Sequence, residues 1–164
     1  MLYAGGPGPR DVELERTQLI PRPLGDTFAF FADPRNLEAI TPPWLSFGIV
    51  EAPPRLARGS LLRYRLRLWR VPVSWVTEIS RWQPPRTFVD RQLSGPYLLW
   101  EHTHRFTPHA GGTEIYDNVR YRVPPAGALA RLVERRLVAP WLQEIFDFRA
   151  ARLHELLAPL PSAA

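Results

Sequence analysis

The stretch "TFVDRQLSGPYLLWEHTHRFTPHAGGTEIYDNVRYRV", Thr87 to Val123, decides the fold. Apolar and polar side chains alternate through it with period two, the signature of strands that bury one face. Turn signals interrupt it at Gly95-Pro96 and Gly111-Gly112, which predicts sequential antiparallel neighbours. Within "WEHTHRF" the alternation puts Trp100, His102, His104 and Phe106 on one face and Leu99, Glu101, Thr103 and Arg105 on the other. The aromatic face is the inner one. Matching the flanking runs to it turns Phe88, Asp90 and Gln92 inward, together with Ile115, Asp117, Val119, Tyr121 and Val123.

Working outward, the same texture begins near Ser46. "FGIVEA", "SLLRYRLRLWR" and "VSWVTEISRW" read as further strands, separated by Pro53-Pro54, Pro72 and Pro84-Pro85. Tyr64, Leu66 and Leu68 point inward and Arg63, Arg65 and Arg67 outward. "DVELERTQLI" is a half-exposed first strand. It is followed by "LGDTFAFFADPRNLEAITPPWL", where Leu24, Phe28, Phe31 and Leu37 recur at helical spacing in two short helices broken at Pro34 and ended by Pro42 and Pro43. The tail "PPAGALARLVERRLVAPWLQEIFDFRAARLHELL" is an amphipathic helix kinked at Pro140. Val138, Leu142, Ile145, Phe146, Leu153, Leu156 and Leu157 form its apolar stripe, and Gln143, Asp147, His154 and Glu155 lie opposite.

This order of elements, with "ITPPWLSF", "WQPPRTFVDRQLSGPY" and "WEHTHRF...GGTEIYDNVRYRVP", resembles the START-like superfamily, also called SRPBCC or polyketide cyclase/dehydrase-like. The resemblance runs from about Val12 to Leu157. It implies an α+β helix-grip fold, a curved antiparallel β-sheet wrapped around a long C-terminal α-helix with two short helices after the first strand. It also implies a cavity between sheet and helix that takes a small hydrophobic molecule. The expected organisation is a disordered segment over 1–11, a single ligand-binding domain over 12–158 and a tail over 159–164.

Composition narrows the chemistry. The chain of 164 residues has no cysteine, so disulfides, thiolate metal ligands and cysteine nucleophiles are excluded. All 21 basic residues are arginine, which excludes a lysine Schiff base. The net charge of +5 is spread from Arg10 to Arg152 rather than gathered in a patch. The outward arginines alternate with Glu78, Glu101 and Glu114, the pattern of cross-strand ion pairs on a solvated sheet face, and no nucleic-acid partner is expected. No apolar run approaches the roughly 18 residues of a membrane span. A cytoplasmic protein is expected; the oligomeric state stays open.

The inward face carries the candidate site. Setting Phe106 opposite Thr113 at the Gly111-Gly112 hairpin places His102 opposite Asp117, while the Gly95-Pro96 turn brings Asp90 beside His102. The predicted row is Asp90, His102, Asp117, with His104 as a weaker neighbour. Arg149 falls on the apolar side of the C-terminal helix, where a buried guanidinium needs a carboxylate, and is expected to pair with Asp90 or Asp117.

Three readings of the row stand side by side. In the first it is the polar end of a ligand cavity, with Tyr64, Leu66, Trp75, Gln92, Trp100, His104, Tyr121 and Arg149 as ligand contacts. In the second, Asp90 or Asp117 orients His102 as a general acid/base in a cyclase or dehydratase, a lyase or isomerase without metal. The third takes H-x-H plus an aspartate as a two-histidine, one-carboxylate metal set. The resembled superfamily asks for no metal and Arg149 competes for the carboxylates, so neither metal nor other cofactor is expected. A partner-binding module without ligand is the remaining alternative. "TPPWLSF" presents Trp44 and Leu45 as a stiff gate or as the plug joining helix to sheet. His109 and His154 are surface residues.

Overall fold

The computed structural model describes residues 11–124 and 130–158; the expected tail and all of the expected N-terminal segment except Asp11 lie outside them. The elements are β1 (Val12–Ile20), α1 (Leu24–Ala32), α2 (Asn36–Ala39), a 3-10 turn (Pro43–Leu45), β2 (Gly48–Glu51), β3 (Leu61–Leu68), β4 (Val71–Gln83), β5 (Thr87–Ser94), β6 (Leu99–His109), β7 (Gly112–Arg122), α3 (Ala130–Val133), a π-helical turn (Glu134–Val138) and α4 (Ala139–Leu156). The strands form one seven-stranded sheet in the order β1-β7-β6-β5-β4-β3-β2, every neighbouring pair antiparallel. This is the α+β helix-grip architecture, a curved sheet holding the long helix.

Two-residue periodicity explains the layering. Along β7 the alternation of half-buried and buried positions is unbroken, and Thr113, Ile115, Asp117, Val119 and Tyr121 are the buried set. Along β6, His102, His104 and Phe106 are buried and Arg105 is exposed. Register shifts in the β4–β5 pairing, between Val76 and Thr77 and between Ile79 and Arg81, mark irregularities of the bulge type that increase local twist and bend a sheet. Glu78 pairs with Arg91 and Glu101 with Arg120 on the outer face, as the interleaved charges predicted.

The core divides in a way that leaves space at its centre. One cluster joins Phe28 and Phe31 of α1 to Phe88, Phe106, Ile115 and Leu153. A second joins Leu14, Val119 and Tyr121 to Val138, Leu142 and Phe146. A third, around Leu45, Leu66, Leu68 and Trp75, lines the sheet's other arm. Losing a ring such as Phe106, 1% exposed, removes buried area and leaves a void worth about 3–5 kcal/mol.

Three sequence expectations need correcting. The C-terminal helix is not one regular helix kinked at Pro140: Pro140 sits in the first turn of α4, preceded by the π-helical turn Glu134–Val138. Proline has no N–H to give the carbonyl four residues back and its ring crowds that carbonyl, so the preceding turn widens. Leu156 is 39% exposed, because the buried line runs through Leu142, Phe146, Leu153 and Leu157, and Leu156 is one residue, or about 100°, off it. The β6–β7 hairpin is also tighter than expected. The ladder continues through Pro108 to a His109–Gly112 pair, so Phe106 faces Ile115 and not Thr113.

Candidate functional site

The tighter hairpin moves the pairing by two residues, which keeps every side chain on its face but changes its partner. Asp90 faces His102, as expected; Asp117 faces His104, and His102 faces Val119. The expected row of three is therefore a square of four. Asp90 and Asp117 stand on either side of β6, and each histidine touches both carboxylates. His102 Nε2–H donates to Asp117 Oδ1 at 3.0 Å. His104 Nε2 is 3.1 Å from Asp90 Oδ2 in hydrogen-bond geometry. His104 Nδ1 lies 2.8 Å from Asp117 Oδ1, an ionic contact too bent for a hydrogen bond. His102 Nδ1 is 3.7 Å from Asp90 Oδ2. His104, expected to be the weaker neighbour, is the more tightly held of the two.

The imidazoles lie 3.8 Å apart between centroids, and both residues are nearly sealed from solvent. Phe88 stacks on His104 at 4.1 Å, and Phe146 meets His102 edge-on at 5.4 Å. In this environment only one ring holds a proton comfortably. For His102 burial and repulsion from His104 outweigh the pull of Asp117 and Asp90, and its pKa falls to about 4. Burial also opposes charge on His104, but its contacts with Asp117 and Asp90 win and raise its pKa. The carboxyls pay the same desolvation, yet their histidine contacts hold Asp90 low and Asp117 well below the usual carboxylate range.

These directions assign the protons. The extra proton is favoured on His104, whose Nε2–H donates to Asp90, while His102 is neutral with its proton on Nε2, toward Asp117. That leaves His102 Nδ1 as a bare lone pair, consistent with its being the longest of the four contacts. Among the described residues, Asp90, His102 and His104 each bring one ligand atom within 4.8 Å of the others and are the set that could hold a metal ion. Most of their donor atoms are already occupied within the square.

Three members of the square open onto a cavity of about 180 Å³ between sheet and α4. Asp90, His102 and His104 line it; Asp117 lies behind the histidines, off the wall. Of the expected ligand contacts, Tyr64, Leu66, Trp75, Trp100, His104 and Arg149 line the cavity, with Trp141 opposite from α4. Gln92 and Tyr121 are inward but engaged elsewhere. The Gln92 amide donates to the Tyr97 carbonyl at 2.6 Å and holds the β5–β6 turn, while the Tyr121 hydroxyl donates to Glu134 at 2.9 Å. Leu45 is buried against the cavity, and Trp44 is 51% exposed and packs edge-on against Phe148.

Arg149 lines the cavity, which supports the helix phase, but it does not make the expected ion pair. Its guanidinium lies 5.6 Å from the Phe31 ring centroid and its buried Nε has no partner among the described residues. The two carboxylates are taken by the histidines, which reach them along the sheet. Arg149 still helps hold Asp90 ionised from a distance. Sequence reasoning missed Trp141, whose place on α4 depended on the π-helical turn, and Phe146, hidden within the apolar stripe.

Residues 11–158 match the family model described as polyketide cyclase / dehydrase and lipid transport. The chain belongs to this family. Solved structures agree on the fold of this polyketide cyclase/dehydrase and lipid-transport family member. The Zhui aromatase/cyclase from Streptomyces sp. R1128 is 16% identical, with 90% of this chain and 93% of that one covered and a TM-score of 0.72. Protein Ms6760 from Mycobacterium smegmatis is 20% identical, with coverages of 88% and 90% and a TM-score of 0.66. TTHA0849 from Thermus thermophilus is 22% identical, with coverages of 90% and 96% and a TM-score of 0.65. No curated protein matches the sequence. Among the described residues no helix is long and apolar enough to cross a membrane.

Proposed function

We propose that this protein binds a small, largely apolar molecule in the cavity between the sheet and α4, with the molecule's polar end at Asp90, His102, His104 and Arg149. The observation that carries this reading is the cavity of about 180 Å³, walled largely by aromatic and aliphatic side chains, with Asp90, His102, His104 and Arg149 on its wall. A dry cavity of about 150 Å³ takes up benzene, so this one suits a compact ring system or a short chain. Native mass spectrometry of the purified protein is expected to show a co-purifying small molecule, and calorimetry a 1:1 complex with a bicyclic aromatic probe. Failure of every such probe to bind would remove the cavity reading.

A second reading, a cyclase or dehydratase in which His102 acts as general base, is favoured by one feature: Asp117 fixes its tautomer and leaves Nδ1 bare beside the cavity. The fold it shares with an aromatase/cyclase is in keeping with that chemistry. The low pKa of His102 works against it, since a base with a pKa of about 4 takes a proton weakly at neutral pH. His102→Gln separates the two, because a binder keeps its ligand and an enzyme loses turnover.

A further inference from the structure

The hydrogen-bonding groups on the cavity wall are unbalanced. Its carboxylates are engaged, Asp90 by His104 and Asp33 by Arg35, and the Tyr64 and Thr77 hydroxyls bond each other at 3.0 Å. Two of its donors are buried without partners: the Trp75 indole Nε1–H and the Arg149 Nε–H. They come from opposite walls, β4 and α4. A buried donor left unpaired costs about 1–3 kcal/mol, more when it belongs to a charged group. In half-buried Arg149 that donor belongs to a cation with no carboxylate bonded to it among the described residues. The bare acceptor on the wall, His102 Nδ1, is neutral, so what is lacking is a negative acceptor for Arg149.

We infer that the ligand supplies it: the molecule bound in this cavity is an organic anion, a carboxylate on a compact apolar body, and Arg149 is the residue that receives its charge. Trp75 offers a second donor to the same molecule. The guanidinium carbon lies 5.6 Å over the Phe31 ring. Asp90 and Asp117 do not compete for Arg149, because the two histidines hold them along the sheet. The inference rests on the proposed cavity binding and adds to it the chemical class of the ligand and the residue that selects it.

The test compares two probes of nearly the same shape, 2-naphthoate and 2-naphthalenemethanol, by calorimetry at pH 7.5 on the full chain. The wild type is expected to bind the carboxylate about ten- to a hundredfold more tightly than the alcohol, the range for a hydrogen bond to a charged group. In Arg149→Met, which keeps the length and apolar stem, that preference is expected to fall to about one while the alcohol's affinity holds, and Arg149→Lys should recover part of it. Equal affinity of the wild type for both probes overturns the anion inference and leaves the cavity reading standing. Binding of neither probe overturns both. The wild-type comparison decides the matter even if the methionine variant does not fold.

Discussion

Replacing Asp117 by asparagine tests the electrostatics of the square most directly. The residue is 1% exposed, lies off the cavity wall and serves both histidines, at 3.0 Å to His102 Nε2 and 2.8 Å to His104 Nδ1. Asparagine has the same shape but no charge. Its carbonyl can accept from one histidine, and its amide then presents a donor to the other. The His104 imidazolium keeps Asp90 alone as its counter-charge in a site ringed by Phe31, Phe88 and Phe146. Breaking a buried pair from one side costs about 3–5 kcal/mol. Asp90 remains as a counter-charge to His104, so the lower end of that range is expected. At about 2–4 °C per kcal/mol for a chain of this size, Tm should fall by roughly 6–12 °C. Thermal unfolding by circular dichroism gives the stability, and an NMR titration of the imidazoles gives the cause: the His104 pKa should drop below its wild-type position. A Tm within about 2 °C of wild type, with His104 still titrating above its ordinary value, would refute the account of Asp117 as the shared counter-charge.

Stability should peak near pH 6.5. For His102, held at about 4 in the folded state against an ordinary 6.5, the unfolded chain binds more protons between those values, so stability falls as pH drops through that window, by on the order of 3 kcal/mol. His104 is raised, so its contribution is complete below 6.5 and is lost as pH rises through its folded value. Urea unfolding from pH 4 to 9 checks this, and a monotonic rise across the range would contradict it. Gly112→Ala should destabilise by about 1–3 kcal/mol or more, because at φ 138° a Cβ would stand 2.0 Å from the Ile20 carbonyl oxygen and 2.9 Å from the Arg22 nitrogen; denaturant titration at neutral pH would show it, and an unchanged midpoint would count against the close approach of β1 to the hairpin. Elemental analysis should find less than stoichiometric metal in purified protein, since a cation would have to displace the His104 proton shared with Asp90; equimolar zinc that raised Tm by several degrees would argue the reverse.

The sequence by itself determined which face each strand residue takes, because side-chain direction follows from period-two geometry and needs no partner. It placed His102, His104, Asp90 and Asp117 inside, Arg149 on the inner side of the helix, and the arginine-glutamate pairs outside. Gly and Pro at the reversals determined that neighbouring strands run antiparallel, and the early helices followed from the spacing of Phe28, Phe31 and Leu37.

Partnership was decided only in three dimensions. A strand ladder can close at Phe106 or run on to His109 at small local cost, and that choice turned a row of three into a square and set Asp117 opposite His104 in the ladder while its carboxylate still reaches His102. A two-residue shift leaves the pattern of inward and outward side chains untouched, so no reading of alternation could detect it. The fate of Arg149 followed from the same choice: with both carboxylates held within the sheet by histidines, its charge was left facing the cavity. Faces are a property of each strand alone, whereas hydrogen-bond partners depend on the relative position of several elements, and that is set by packing the whole core around α4.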